Sequence, residues 1–351
     1  MKLYDFNKYP LSNRNAMYGG NSGDKEGISI GSEYWIVKYP KKASKLKDVK
    51  NMSYAFTPLS EYIGSHIYEI LGFAVHETFL GIRDGYIVVG CTDFCNDGEN
   101  LIEFRQLKNT HNRVLSEKLD QCVFSPDVSH LTLIDEVMIH LDYNPSMQKI
   151  DGLKERFWDC VVIDGFINNN DRNNGNWGII RNKESDVLAP VFDNGAAFSP
   201  NVPEYKIINK LNDGKSFIQS SCSCVTAYSI DGKNNALFRD ILKLDVRELK
   251  DAIKKNVPLI QKKLPEINAM IDEIPEEFEG LSVISKARKE VYKQELSLRM
   301  ENLLVPEYKD IIAEELDAAI KAVENKSGNS IGKEGNEKNG SHKCDGMGGI
   351  S

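Results

Sequence analysis

Between residues 168 and 176 the chain reads Asn-Asn-Asn-Asp-Arg-Asn-Asn-Gly-Asn, and Asp193-Asn194-Gly195 follows a short way on. Asn176 immediately precedes an apolar, strand-like run at 177–180, Asp193 immediately follows another at 187–192, and the polar residues 181–186 lie between. Folded as a hairpin, this segment sets Asn176 and Asp193 side by side. Two oxygen ligands at one spot suit Mg²⁺, which keeps several waters and takes one or two protein carboxylates plus phosphate oxygens. Asp171 lies on the loop just ahead, placed to accept a hydroxyl proton or to orient a nucleophile. Metal ligands and a positioning carboxylate are what phosphoryl transfer asks for, because its catalysis is mostly positioning and charge neutralisation.

A cation on the phosphates must come from elsewhere. Residues 34–39 read as a strand, and Lys38 sits at its end after Ile36-Val37. Ahead of it, Gly19, Gly20, Asn21, Ser22 and Gly23 form a loop whose backbone N–H groups could cover phosphates. Thr57-Pro58 reads as an N-cap with proline at N1, and Leu59, Ile63, Ile67 and Ile70 mark one apolar helix face until Gly72. Residues 78–82 and 86–89 flank Arg83-Asp84-Gly85, a hairpin with Asp-Gly at its turn. Antiparallel strands plus one helix are therefore expected over 1–95. Beyond the polar turn at 96–100 the period becomes helical, with helices over 131–141, 153–166, 237–253, 257–271, 281–304 and 308–323. The fold class expected is α+β and two-lobed: a sheet lobe over 1–95, a helical lobe over 96–324, and a disordered tail over 325–351, where apolar residues almost vanish.

Other readings of these motifs fail on spacing. With Gly175 as the sixth residue of a calcium loop, Arg172 would be the third and Arg181 the twelfth, both cations. A P-loop at Gly214-Lys215-Ser216 has Asn209 where its first glycine should stand. The 7 cysteines lack paired Cys-x-x-Cys spacings and read as reduced thiols. With 351 residues, 41% hydrophobic, 27% charged and a net charge of -8, the chain is globular and lacks the basic surplus of a nucleic-acid binder. No export signal and no membrane-length apolar stretch is visible, so a cytoplasmic protein without a membrane partner is expected, with delivery outside the cell as the alternative.

The order Asp171, Asn176, Asp193-x-Gly195 is that of a protein kinase. The chain resembles the HipA-like serine/threonine kinases, and among them the short stand-alone CtkA-type members. The resemblance runs from about residue 18 to the end of the helical lobe. It is carried by Ser60-Glu61-Tyr62 with Ile70-Leu71-Gly72, by Gly165-Phe-Ile joined to the Asn-rich loop, and by Phe192-Asp-Asn-Gly195. It implies ATP and Mg²⁺ as cofactors, Asp171 as the catalytic aspartate, Asn176 and Asp193 on the metal, and Lys38 on the phosphates. It also implies Glu61 as the lysine's partner, although Glu61 falls opposite the Leu59/Ile63/Ile67/Ile70 stripe on the helical wheel and Glu69 flanks it. Cys91, Thr92, Asp93 and Phe94 take the place of the adenine-contacting hinge, through main-chain groups. Ser22 is the autophosphorylation candidate, with a capping or turn serine as the alternative. Toxin–antitoxin members carry an N-terminal subdomain that meets a DNA-binding antitoxin. Here the glycine loop begins almost at the start, which argues against an antitoxin partner. The protein substrate is not identified. A nucleotide-binding pseudokinase and a small-molecule or lipid kinase stay open as alternatives, since the loop and Asp193-Asn-Gly depart from the His-Arg-Asp and Asp-Phe-Gly forms.

Overall fold

Alternating apolar residues and an Asp84-Gly85 turn build the first layer. In the computed structural model, residues 1–15, 25–42, 52–110, 112–121, 132–232 and 234–331 are described, 325–331 by backbone alone. Strands β1 (Tyr4–Asp5), β2 (Lys25–Ile30) and β3 (Glu33–Lys38) precede helix α1 (Thr57–Ile70), and β4 (Thr78–Arg83) and β5 (Tyr86–Thr92) follow it. They form one sheet in the order β1-β4-β5-β3-β2. Asp84 (φ 50) and Gly85 (φ 76) both take the left-handed conformation that a two-residue hairpin turn requires. All pairings are antiparallel except β1 on β4, a two-residue parallel strand too short to leave a pattern in the sequence. One face of the sheet buries Phe6, Ile28, Trp35, Val37 and Val88.

Helix α1 packs on β4 and β5 and begins one residue earlier than expected. Phe56 is its N-cap, and Thr57 lies inside the first turn, where its Oγ1 accepts the N–H of Lys41 at 3.3 Å. The hydroxyl serves a neighbouring strand end, so it caps nothing. At the other end Gly72 (φ 84) closes the helix, with the N–H of Phe73 bonded to the carbonyl of Tyr68 at 3.0 Å.

The helical region contains a strand the sequence reading missed. Strand β6 (Asn100–Glu103) leads into α2 (Phe104–Leu107) and α3 (Arg113–Leu119). Then come β7 (Thr132–Leu133), α4 (Ile134–Tyr143), α5 (Leu153–Ile167), β8 (Gly178–Arg181) and β9 (Asp186–Leu188). The expected hairpin exists as β8 on β9, and β6 adds a third strand along β8. The hairpin ends at Leu188 rather than 192 because Pro190 has no N–H to donate to a ladder. Val191 instead pairs in parallel with Val75, its N–H bonded to the carbonyl of Ala74 at 2.8 Å.

The remaining elements are α6 (Glu204–Asn212), α7 (Gly214–Cys222), β10 (Tyr228–Ser229), α8 (Phe238–Leu242), α9 (Arg247–Glu273), the hairpin β11 (Glu277–Phe278) and β12 (Leu281–Ser282), α10 (Lys286–Arg299), a π-helical turn (Met300–Leu304) and α11 (Val305–Ile331). Where a break at 254–256 was expected, α9 is continuous through Pro258 and Pro265. Its buried stripe Leu249, Ile253, Val257, Ile260, Ile267 and Ile271 packs along α5, which outweighs the hydrogen bonds the prolines delete. The helix expected to start at 281 starts at Lys286. Glu279 (φ 48) and Gly280 (φ 79) form a turn first, and Ser285 caps the helix by accepting the N–H of Arg288. Met1–Glu307 form one compact unit, and the described residues from Tyr308 to Ile331 belong to a second. Among the described residues no helix is long and apolar enough to cross a membrane, and Cys91, Cys95, Cys160, Cys222 and Cys224 are free thiols.

Candidate active site

The Asn-rich loop is what happens when a largely buried helix is stopped abruptly. Helix α5 buries Trp158, Val161, Val162, Ile163 and Phe166, and at Gly165 a Cβ would stand 2.1 Å from the ring of Phe238. Asn168 ends the helix in the left-handed conformation (φ 54, ψ 47), which asparagine tolerates better than most residues. Three of the later asparagines then each hold a backbone group. Asn169 Oδ1 accepts the N–H of Asp171 at 3.2 Å, Asn173 Oδ1 accepts that of Gly175 at 2.8 Å, and Asn176 Nδ2 donates to the carbonyl of Asp171 at 2.5 Å. These short-range bonds are the asparagine-turn chemistry that makes the run a shaped loop.

Asp171 points out of that loop. Its side chain is exposed and accepts Asn173 Nδ2 at 2.8 Å. Desolvation against the loop raises its carboxyl from the ordinary 3.8, the Asn173 hydrogen bond opposes this, and the negative charge of Asp193 adds to it.

Two buried side chains that the sequence reading did not single out fasten the loop. Asp164, on α5, and Arg172 are both almost wholly buried, and Arg172 Nε and Nη2 reach Asp164 Oδ2 and Oδ1 at 2.8 and 3.0 Å. Asp164 Oδ1 also accepts the Tyr68 hydroxyl at 2.9 Å and Asn169 Nδ2 at 3.0 Å. The guanidinium continues to the Asn176 carbonyl at 2.9 Å, the Phe192 carbonyl, and Asn194 Oδ1 at 2.6 Å. All five of its N–H donors are used, a geometry that lysine's single nitrogen cannot copy. Burial works against its charge, and Asp164 more than compensates, so the Arg172 pKa lies well above its ordinary value. Thus one residue ties Asn176 to the strand end before Asp193. The available signal for Asp164 was a carboxylate among the apolar residues of the second half of α5, between Ile163 and Gly165-Phe166-Ile167.

From the sheet side, Lys38 Nζ lies 2.9 Å from Glu61 Oε2 and 3.1 Å from Asp193 Oδ1. Burial opposes the lysine's charge, while Asp193 and Glu61 outweigh it and raise its pKa. Glu61 is almost fully buried. Desolvation would raise its carboxyl, but the charge of Lys38, with help from His76, holds it below the usual carboxylate range. Glu69 is exposed and takes no part in this pair. Asp193 sits in the left-handed region (φ 59), and the next residue turns inward: Asn194 is fully buried, donating its N–H to Glu61 Oε1 at 3.0 Å and Nδ2 to Ser65 Oγ at 3.0 Å. Helix α1 can approach that closely because position 64 is glycine. A Cβ there would lie 2.7 Å from Asn194 Cβ.

The structure therefore brings Lys38, Glu61 and Asp193 into contact, with Asp171 and Asn176 on the loop fastened beside them. Gly19, Gly20, Asn21, Ser22 and Gly23 lie outside the described residues. At the hinge positions Cys91 is buried, which pushes its thiol pKa far up. The N–H of Thr92 is bonded to the Glu77 carbonyl and that of Asp93 to the Tyr34 carbonyl, so those two donors serve the sheet. The Asp93 carboxylate pairs with Arg14 at 2.8 Å, and the Phe94 ring lies 5.6 Å from that of Phe192. Cys91 Sγ falls within 4.8 Å of Glu61 and His76 ligand atoms, but Glu61 is taken by Lys38 and the thiol is protonated, a poor cage for a metal. Asn176 and Asp193 offer hard oxygens instead. Anchoring of Asn176 Nδ2 on the Asp171 carbonyl leaves its Oδ1 as the other end of the amide, and this donor chemistry fits Mg²⁺.

No protein-family model matches the chain. It is 31% identical over 264 residues to the serine/threonine-protein kinase CtkA of Helicobacter pylori, covering 74% of this chain and 75% of that one. The crystal structure of the Helicobacter pylori proinflammatory kinase CtkA superposes with a TM-score of 0.74 at 25% identity, over 89% of this chain and 99% of the other. The Shewanella oneidensis toxin–antitoxin complex of HipA, HipB and operator DNA gives a TM-score of 0.45 at 15% identity, over 88% of this chain and 69% of the matched one. With that relative and that fold, the chain belongs to the CtkA family of serine/threonine protein kinases.

Proposed function

We propose that this chain transfers the γ-phosphate of ATP to a serine or threonine hydroxyl of a protein, using Mg²⁺. The observation that carries the reading is Lys38 Nζ held between Glu61 and Asp193, at 2.9 and 3.1 Å, with the Asp171 loop fastened to the same strand end by Arg172. The sheet lobe, over residues 1–95, carries Lys38 and Glu61, and the following lobe carries Asp171, Asn176 and Asp193. Lys38 neutralises phosphate charge, and Glu61 aims it. Asn176 and Asp193 would hold the metal, which would supply charge neutralisation on the phosphates. Asp171 accepts the hydroxyl proton as that oxygen bonds to the γ-phosphorus and the bond to the β–γ bridging oxygen breaks, releasing ADP. The exposed position of Asp171 suits an incoming protein side chain.

Autophosphorylation belongs to this reading, with Ser22 as the candidate acceptor. The test is incubation of the purified chain with labelled ATP and Mg²⁺, followed by mass-spectrometric mapping of phosphosites. Phosphate on serine or threonine is expected, and Asp171→Ala and Lys38→Met should abolish it. Labelling that survives Asp171→Ala would refute the assignment, and phosphate found only on a metabolite or lipid would redirect it.

A further inference from the structure

One buried titratable group beside Lys38 has no role in that scheme. His76 is 5% exposed, and its Nε2 lies 2.9 Å from Glu61 Oε1 and 3.2 Å from Ser65 Oγ. Glu61 is ionised and accepts only, so Nε2 carries the hydrogen and donates it. The main chain at the same residue faces the other way. The N–H of His76 donates to the Val191 carbonyl at 3.2 Å, inside the Val75/Val191 bridge two residues before Asp193. Position 76 thus joins both carboxylates that hold Lys38: Glu61 through its ring, and the Asp193 strand through its backbone.

We propose that His76 is a positioning residue, the group that fixes the Glu61 carboxylate so that Oε2 faces Lys38 when Asp193 turns to the metal. The consequence rests on the kinase reading above. In the structure Lys38 divides itself between two carboxylates. With Asp193 shared by a metal ion, Glu61 would be the lysine's principal partner. Glu61 Oε1 receives His76 and the Asn194 N–H, and Oε2 receives Lys38. The Asn194 donor belongs to the Asp193 segment, whereas His76 sits in the segment leading into β4, a strand of the sheet that carries Lys38. The histidine therefore ties Glu61 to that sheet. A hydrogen bond to a charged group of this kind is worth enough to change binding about tenfold.

The experiment compares wild type, His76→Phe, His76→Gln, Glu61→Gln and the His76→Phe/Glu61→Gln double variant, with melting curves to establish folding. His76→Phe keeps the volume and removes the donor, and should raise KM for ATP about tenfold while leaving KM for the protein substrate unchanged. His76→Gln, whose amide N–H reaches the same oxygen, should recover most of the loss. In the Glu61→Gln background His76→Phe should add nothing. An unchanged KM for ATP in His76→Phe, or an equal further loss in the double variant, overturns the proposal. ¹⁵N-histidine NMR of the full chain reads the contact without turnover. A protonated Nε2 at His76 whose signal shifts in Glu61→Gln is expected, and an unprotonated Nε2 refutes the role. A wild-type chain that transfers no phosphate would refute the kinase reading alone, leaving the NMR result to decide the contact. If His76→Phe does not fold, His76→Asn, too short to reach Glu61, takes its place.

Discussion

Replacing Arg172 by lysine keeps the charge and nearly the length, yet it should be among the more damaging conservative changes in this chain. The guanidinium spends its N–H groups on Asp164 twice, on the Asn176 and Phe192 carbonyls, and on Asn194 Oδ1. An ammonium has three donors on one atom, so at least two of these acceptors lose their partner in a site with almost no solvent. Each unsatisfied buried group costs roughly 1–3 kcal/mol. Asp164 keeps the lysine charge and its bonds from Tyr68 and Asn169, which limits the total to about 2–5 kcal/mol. At about 2 °C per kcal/mol for a chain of this size, the melting temperature should fall by roughly 4–10 °C. Phosphotransfer should fall further than stability requires, because the lost bonds include the one joining the Asn176 and Asp193 segments. Calorimetry or a dye melt gives the first number, and initial rates with saturating ATP, well below the melt, give the second. A variant that melts within about a degree of wild type and transfers phosphate at the same rate would show that the fork geometry does not matter.

Gly64→Ala places a methyl 2.7 Å from Asn194 Cβ, so α1 or the Asp193 segment must move. Overpacking of this kind costs about 1–3 kcal/mol, read as a lower denaturation midpoint together with reduced phosphotransfer. Asp171→Asn should separate function from stability. Because the folded-state pKa of Asp171 is raised, its charged form opposes folding above that pKa, so the neutral side chain should melt at or above the wild-type temperature while transfer is lost. A fall in melting temperature would contradict this. The same shift fixes a pH signature. A base acts when deprotonated, so the acidic limb of the wild-type kcat/KM profile should turn down at a pH above the ordinary aspartate value of 3.8.

What could be read from the sequence was what is encoded locally or in order along the chain. The Asp84-Gly85 hairpin, the stop of α1 at Gly72 and the Asn176-to-Asp193 hairpin each rest on residues whose conformational preferences act within a few positions. So did the order of Lys38, Glu61, Asp171, Asn176 and Asp193. Other features depend on partners far away in sequence. A helical wheel sets Glu61 on the side away from the apolar stripe, where a solvated carboxylate would be expected. In the structure that side of α1 is covered too, by Asn194 at a separation of 133 residues and by Lys38 on β3. Glu69 flanks the stripe better and is exposed. Nothing within one turn of the chain could distinguish the two.

The same holds for Asp164, Arg172 and His76, whose types alone suggest solvated or generic polar residues, and for α9, whose prolines advertise breaks that packing against α5 overrides. By itself the sequence determined which chemical groups are present and in what order they arrive. The tertiary structure decided which of them are taken out of water and paired, since desolvation and a partner from another element are what turn an ordinary lysine and glutamate into a fixed ion pair.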